Sequence, residues 1–265
     1  MAESDLVHFF DLDSVIPSPF RSRSPNTLKT RIVLNFKSIS YTQSWISYPD
    51  VAPMLKDLGV KPNQSGKSYT LPAICHKSIT SNPNGIMMDS LSIAKHLDKL
   101  YPSPPLFPSG ISTLALLEAV DKIIGGMAPA LRQLLPPKVP DKLDQRGKEY
   151  FIRTRTQAFG KPLSDLLPTD EKTLQDLWCL IESQMNMIIL MLKNRPGSTG
   201  SFFEGNTPSY ADLFLVSNLA AFHNDDHDLW KRIMALGDGE LRVLWDACLP
   251  WITKQGEEKE WILHP

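Results

Sequence analysis

Cysteine is scarce and unpaired in this 265-residue chain: Cys75, Cys179 and Cys248 are odd in number and widely separated. That pattern excludes a disulfide framework and a cysteine metal pair, and the three are expected to be buried thiols in a reducing compartment. No apolar run approaches the roughly eighteen residues needed to cross a bilayer. The longest, MNMIILML from Met185 to Leu192, is bounded by polar residues. An excess of one charge sign is missing as well. With a formal net charge of -1 the chain has no overall electrostatic reason to hold a polyanion, so neither nucleic acid nor membrane is expected as a partner. The opening MAESDLVHFF carries Glu3 and Asp5 where a secretory signal would carry positive charge, and no small-residue cleavage site follows. A cytoplasmic location is therefore expected.

What is present suffices for two domains, each burying its own core, at 42% apolar and 22% charged residues. LVHFFDL, Leu6 to Leu12, is short, rich in β-formers and bounded by turn residues, which predicts a buried strand. In RSRSPNTLKTRIVLNFK, Leu28, Ile32 and Phe36 recur every four positions while Lys29, Arg31 and Lys37 fall elsewhere. This spacing predicts a helix from Ser24 with one buried face. ISYTQSWISY (39–48), LPAIC and GIMMD read as three further strands. DSLSIAKHLDKLYP places Leu91, Ile93, Ala94, Leu97 and Leu100 at helical spacing and stops at Tyr101, before Pro102. The order β-α-β, a variable linking region, then β-β-α predicts a mixed sheet with helices on its faces. YPSPPLFPSG, 101–110, has four prolines and can continue neither helix nor strand. Beyond it the pattern is helical almost to the end, so the fold class is α/β followed by all-α, divided as 1–102, a linker at 103–110, and 111–265.

The clearest element of the second domain is TDEKTLQDLWCLIESQMNMIILMLKNRPG. Thr169 is expected to cap it, with Asp170 and Glu171 complementing the positive helix end. Leu174, Trp178, Ile181, Met185, Ile188 and Leu192 are expected to form its seam, and Lys193 and Arg195 to close it before Pro196 and Gly197. His223 and His227 in FHNDDHDLW stand four apart among aspartates, but the sequence places no third ligand, so no metal site is expected. The better reading is a helix start with Leu229, Trp230, Ile233 and Met234 as its apolar face. In TPSYADLFL, Ser209 and Asp212 are spaced as a reciprocal capping pair.

Three features admit either a structural or a ligand-binding role. Ser24, ahead of Pro25, can cap its helix or face a ligand. Pro72 within YTLPAICH can mark an edge strand, or follow a cis peptide from Leu71 that leaves the Leu71 backbone open to an extended peptide. Asp89 and Ser90 can cap the helix they open, or hold a carboxylate on free amides and an ammonium on the aspartate, a pairing suited to an amino-acid head group.

Taken in order, the first strand, the SPNTLKTR helix, LPAI, DSLSIAKHLDKLYP, a proline-rich linker and an all-α domain resemble the glutathione transferase superfamily over nearly the whole chain. SPNTLKTRIVLNFKSISYTQSWISYPDVAP is similar to the fungal class A transferases and their bacterial relatives, the glutathione-dependent β-etherases. The resemblance implies a thioredoxin-like domain that binds glutathione as co-substrate, without metal. It puts Ser24 at the catalytic position, where its hydroxyl would donate to the glutathione sulfur, with Asn26 as the second choice and Ser18 and Ser22 as nearby alternatives. It also implies that Leu71 and Pro72 hold the cysteinyl backbone and that Asp89 and Ser90 hold the γ-glutamyl end. Lys56, Lys67 and Tyr69 lie in plausible segments for the glycyl end, which stays open. Phe20, Met127 and Leu131 are candidates for lining the hydrophobic second-substrate site. A serine at position 24 argues for thioether formation at an electrophilic carbon, as in detoxification, rather than the disulfide exchange of cysteine-bearing relatives, and the resemblance to the subclass implies aromatic and phenolic compounds as the electrophiles. Ether cleavage by the same thiolate, and storage of phenolic ligands without turnover, are the alternatives. A homodimer is expected from the family.

Overall fold

The computed structural model describes residues 6–195 and 199–261; Glu3, Asp5, Pro196 and Gly197, named above, lie outside them. Backbone proximity divides the chain into two compact units. One comprises the chain up to Pro104 with Leu143–Tyr150 and the segment from Pro250 onward, and the other comprises Pro105–Lys142 and Phe151–Leu249. The break near residue 104 falls inside the proline-rich linker. The C-terminal boundary departs from the expected 111–265 all-α domain, because the end of the chain returns to the first unit.

In that first unit, β1 (Val7–Leu12), α1 (Pro25–Phe36) and β2 (Tyr41–Ile46) make a parallel crossover. Next come α2 (Val51–Asp57), then β3 (Ala73–Cys75) and β4 (Ile86–Met88), which pair antiparallel, and α3 (Ser90–Leu100). A two-residue strand from the tail, β5 (Glu257–Glu258), adds parallel to β2, so the sheet order is β4-β3-β1-β2-β5. This strand corrects the helical reading of the C-terminus. Two acidic, exposed residues carry no strand signal of their own, and only the edge of β2 makes them one.

All six residues of β1 are buried, because both faces of the strand are covered. Phe10 and Leu12 pack with Ile46 and with Val51, Met54 and Leu55 of α2. Each such side chain taken fully out of water contributes roughly 1.5–3 kcal/mol. The opposite face of β1 carries Asp11, whose carboxylate receives Arg31 Nη2 at 2.7 Å, both side chains being wholly buried. Arg31 therefore corrects the expectation of a single buried face on α1: Lys37 is buried too, paired with Asp98 at 2.6 Å and donating to the Tyr101 and Pro104 carbonyls at 2.6 and 2.8 Å. Periodicity finds an apolar stripe, but it does not see that charged residues go inside when each donor has an acceptor.

The second unit contains α4 (Ile111–Gly126), α5 (Ala128–Leu134), α7 (Glu171–Lys193), α8 (Tyr210–Asp225) and α9 (His227–Met234). Two helices, α6 (Gln145–Phe159) and α10 (Glu240–Thr253), begin or end in the other unit. Asp170, not Thr169, caps α7, its carboxylate accepting from Thr173 N at 2.7 Å. The seam holds at Trp178, Ile181, Met185, Ile188 and Leu192, whereas Leu174 in the first turn is 40% exposed. Asp226 caps α9 by accepting from Leu229 N, and Leu229, Trp230, Ile233 and Met234 are buried as expected. Among the described residues no group of three metal-ligating side chains occurs, and no helix is long and apolar enough to cross a membrane. Cys248 is buried, Cys75 half-buried and Cys179 exposed, the last against expectation because it lies on the outer side of α7.

Candidate functional site

Sheet register decides what meets what. Phe10 pairs with Ala73, and Ala73 with Met88, so these three residues form one row across β1, β3 and β4. The next step along each strand in the same direction reaches Asp11, Pro72 and Asp89. The segment holding Leu71 and Pro72, the start of α3, and the C-terminal end of β1 therefore lie at one end of the sheet. From that end residues 13–24 lead into α1, whose N-terminus carries Ser24. Residues far apart in sequence and recognised separately thus share one edge.

At this edge Ser24 stands at the N-cap position in extended backbone conformation, with φ -72 and ψ 127, and Pro25 follows it inside the first turn. Its carbonyl starts the helix by accepting from Leu28 N at 2.9 Å, yet its hydroxyl makes no capping hydrogen bond. The residue is half-exposed. Asn26 is exposed on the first turn, and its Oδ1 accepts from Lys29 Nζ at 3.1 Å. Ser18 is exposed and Ser22 buried.

The Leu71–Pro72 peptide is cis, as is Ser18–Pro19. Among the described residues the Leu71 amide and carbonyl make no backbone hydrogen bond. Asp89, at φ 83, caps α3 through one carboxylate oxygen, which accepts from Ser92 N at 2.8 Å. It is exposed, and Ser90 beside it is half-exposed at the first turn, where amides have no intrahelical partner. Lys56 Nζ lies 5.7 Å from the centre of the Tyr69 ring, which joins two of the three residues considered for the glycyl end. The main chain of the third, Lys67, accepts from Asn63 Nδ2 within a surface turn.

The candidates for the second-substrate surface divide by burial. Phe20 and Leu131 are half-exposed, but Met127 at the α4–α5 junction is completely buried. A methionine at a helix junction can fill space, and its apolar character alone could not tell a lining residue from a core residue.

Two groups with clear shifts in acidity lie elsewhere. His8, early in β1, is lowered to about 4, first by burial and then by the Lys259 charge. Its Nδ1 meets Thr42 Oγ1 at 2.7 Å and its Nε2 meets Ser44 Oγ at 3.0 Å. Asp212 is raised to about 6 by burial, against three hydrogen bonds that favour its charged form, from Phe203 N, Ser209 N and Ser209 Oγ, each at 2.8 Å.

Sequence reasoning missed Asp11 and Gln255. Arg31 Nη1 donates to Gln255 Oε1 at 2.7 Å and to Tyr41 Oη at 3.3 Å, which completes the guanidinium's partners around the buried Asp11 pair. A lone acid inside the apolar run LVHFFDL was the available signal, since a carboxylate on a strand buried on both faces requires a cation. Nothing local pointed to Gln255.

Comparison with known proteins identifies the family. Residues 21–105 match a family model described as the glutathione S-transferase N-terminal domain, and residues 115–251 match one described as the C-terminal domain. A relative from Aspergillus flavus, "Glutathione S-transferase-like protein ustS", is 50% identical, covering 98% of this chain and 96% of its own. Among solved structures, a glutathione S-transferase of Ceriporiopsis subvermispora in complex with glutathione is 29% identical with a TM-score of 0.80, covering 93% of this chain and 98% of its own. A glutathione transferase of Phanerochaete chrysosporium is 28% identical at TM-score 0.80, covering 94% and 98%. The chain belongs to the glutathione S-transferase family, with a thioredoxin-like first domain and an all-helical second one.

Proposed function

We propose that this chain is a serine-type glutathione transferase that adds the glutathione thiolate to hydrophobic, aromatic electrophiles. The observation that carries the reading is the Ser24 hydroxyl: it sits at a helix N-terminus, half-exposed, without the capping bond that usually occupies such a group. In this reading Ser24 Oγ donates to the cysteinyl sulfur and the α1 N-terminus adds a favourable field. A thiol of pKa about 8.5 must fall by one to two units to ionise near neutrality, or about 1.4–2.7 kcal/mol. A hydrogen bond to a charged acceptor supplies roughly 1.5–3 kcal/mol. No permanent base is needed, because the thiol proton can leave to water.

The same reading gives Leu71 and Pro72 the cysteinyl main chain and Asp89 and Ser90 the γ-glutamyl head group, and it leaves the glycyl end open among Lys56, Lys67 and Tyr69. Asn26, whose side chain already meets Lys29, is the weaker thiolate donor. Phe20 and Leu131 stay as candidates for contact with the electrophile, and Met127 is withdrawn on its burial. A homodimer and a cytoplasmic location complete the proposal.

The test compares wild type with Ser24→Ala on a chlorinated nitrobenzene, a β-aryl ether and a peroxide, together with the bound thiol's pKa. Ser24-dependent turnover of the nitrobenzene supports conjugation. Preference for the ether would move the assignment to a lyase, and tight binding of phenolics without turnover would move it to storage. Identical thiol pKa values in the two proteins would remove Ser24 from the mechanism.

A further inference from the structure

The loop that delivers Ser24, residues 13–23, is secured from outside by the end of the chain. Within the loop, Asp13 pairs with Arg21 at 2.8 Å and Ser14 Oγ donates to the Arg21 carbonyl at 2.5 Å. From the tail, Gln255 Nε2 donates to the Pro19 carbonyl at 2.7 Å. Glu258 Oε1 accepts from Arg21 Nη1 at 3.3 Å and from Trp45 Nε1 at 2.9 Å, while the Arg21 guanidinium lies 4.3 Å from the centre of the Trp45 ring. The orientation of the Gln255 amide is forced. Arg31 can only donate, so Oε1 must face it, and Nε2 is left to point at Pro19.

The docking of the tail is built into β2 and α1. Lys259 N donates to the Gln43 carbonyl at 2.8 Å and Gly256 N to Gln43 Oε1 at 3.2 Å, and Ser44 Oγ donates to the Lys259 carbonyl. A Cβ on Gly256 would stand 2.4 Å from Tyr41 Cε2 and 2.8 Å from the Tyr41 carbonyl oxygen, so this position admits only glycine without displacement. On α1, Asn35 Nδ2 donates to the Trp251 and Lys254 carbonyls at 2.6 and 3.0 Å, one turn after Arg31 holds Gln255. Trp261 packs over His8 and Phe10, at 5.0 and 4.8 Å between ring centres.

We infer that residues 254–261 are a positioning element for Ser24, with Gln255 and Glu258 as positioning residues that fix the 13–23 loop and hence the direction of the serine hydroxyl. The inference rests on the proposed role of Ser24. Gln255 touches neither glutathione nor electrophile in this account, and it acts through Pro19 and Arg31. Its loss is expected to move the properties of the bound thiol and to leave binding of the second substrate alone.

The experiment measures the pKa of enzyme-bound glutathione from thiolate absorbance, and the KM for each substrate, in wild type, Gln255→Ala, Gln255→Glu and Ser24→Ala, and in the Ser24→Ala/Gln255→Ala double variant. Gln255→Glu keeps the acceptor for Arg31 and loses the donor to Pro19, so it tests the loop contact in a protein that retains the buried network. Both Gln255 variants are expected to raise the thiol pKa and lower kcat/KM near neutrality by about 2- to 12-fold, the factor corresponding to one hydrogen bond of roughly 0.5–1.5 kcal/mol. The KM for the electrophile is expected to stay constant, and no further shift in thiol pKa is expected in the Ser24→Ala background. Wild-type pKa in both Gln255 variants, or an equal added shift without Ser24, overturns the inference while leaving the serine mechanism standing. A wild-type pKa that does not depend on Ser24 overturns both.

Discussion

Two helices that each open on a serine differ in how that serine is bonded. Ser209 and Asp212 open α8 as a saturated, fully buried unit: the aspartate accepts from the serine's amide and hydroxyl and also from Phe203 N. Ser24 opens α1 with its hydroxyl unspent and half-exposed, and that helix is held instead by the Arg31–Asp11 pair in its interior. A capping residue whose hydrogen bonds are all internal belongs to the fold. One whose hydroxyl makes no capping bond, where the C-terminal end of β1 leads into α1, is the one the proposed function assigns to a ligand. The contrast also shows where each unit keeps its polar anchor: at the helix end in the second unit, and on the buried face of the helix in the first.

The heaviest blow to this contrast is Arg31→Met, which leaves the Asp11 carboxylate buried without its cation. Chemical unfolding is expected to show a loss of about 3–5 kcal/mol, and a loss under 1 kcal/mol would mean that the pair does not anchor α1. Next comes Asp212→Ala, which strips the acceptor from three buried donors and removes a helix cap. A loss of about 2–3 kcal/mol is expected at pH 7.5. Ser24→Ala separates the two starts most sharply. Thermal unfolding is expected to move by less than about 0.5 kcal/mol, since no capping bond is lost, while kcat/KM for conjugation near neutrality falls about 10- to 100-fold. A stability loss comparable to that of Asp212→Ala would return Ser24 to a purely structural role.

The gentlest probe is pH. The folded-state pKa of His8 is depressed from 6.5 to about 4, so its contribution is present in full above pH 6.5 and is lost as pH falls toward 4. Asp212 is raised from 3.8 to about 6, so its contribution runs the other way, favouring the folded state as pH falls through the same window. Stability measured from pH 7 to 4 in wild type and in His8→Asn isolates the histidine: the wild-type curve is expected to fall more steeply on acidification. Because Trp261 packs on His8, the docking of the tail is expected to loosen along with it, visible as a change in tryptophan fluorescence.

The ease of reading different parts of the chain follows the range of the interactions involved. The strands at Val7–Leu12 and Tyr41–Ile46, the α1 and α3 stripes and the linker prolines are local patterns, and each element formed within a residue or two of its expected place. The Ser209–Asp212 pair spans three residues and was equally plain. Thr169 lost the cap of α7 to its neighbour because Asp170 offers a charged acceptor at the geometry the Thr173 amide requires. Gln255 was invisible because its three partners, Pro19, Arg31 and Gln43, lie more than two hundred residues away.

By itself the sequence determined the course of β1, α1, β2, α3 and α7 and which family the chain joins, since hydrophobic spacing, proline placement and short motifs act over a few residues. Only the tertiary structure decided that the Ser24 hydroxyl is left unpaired, that Arg31 and Lys37 go inside, and that the tail becomes a fifth strand. Each of these depends on which acceptor or strand edge arrives from a distant part of the chain, and a one-dimensional pattern does not encode that meeting.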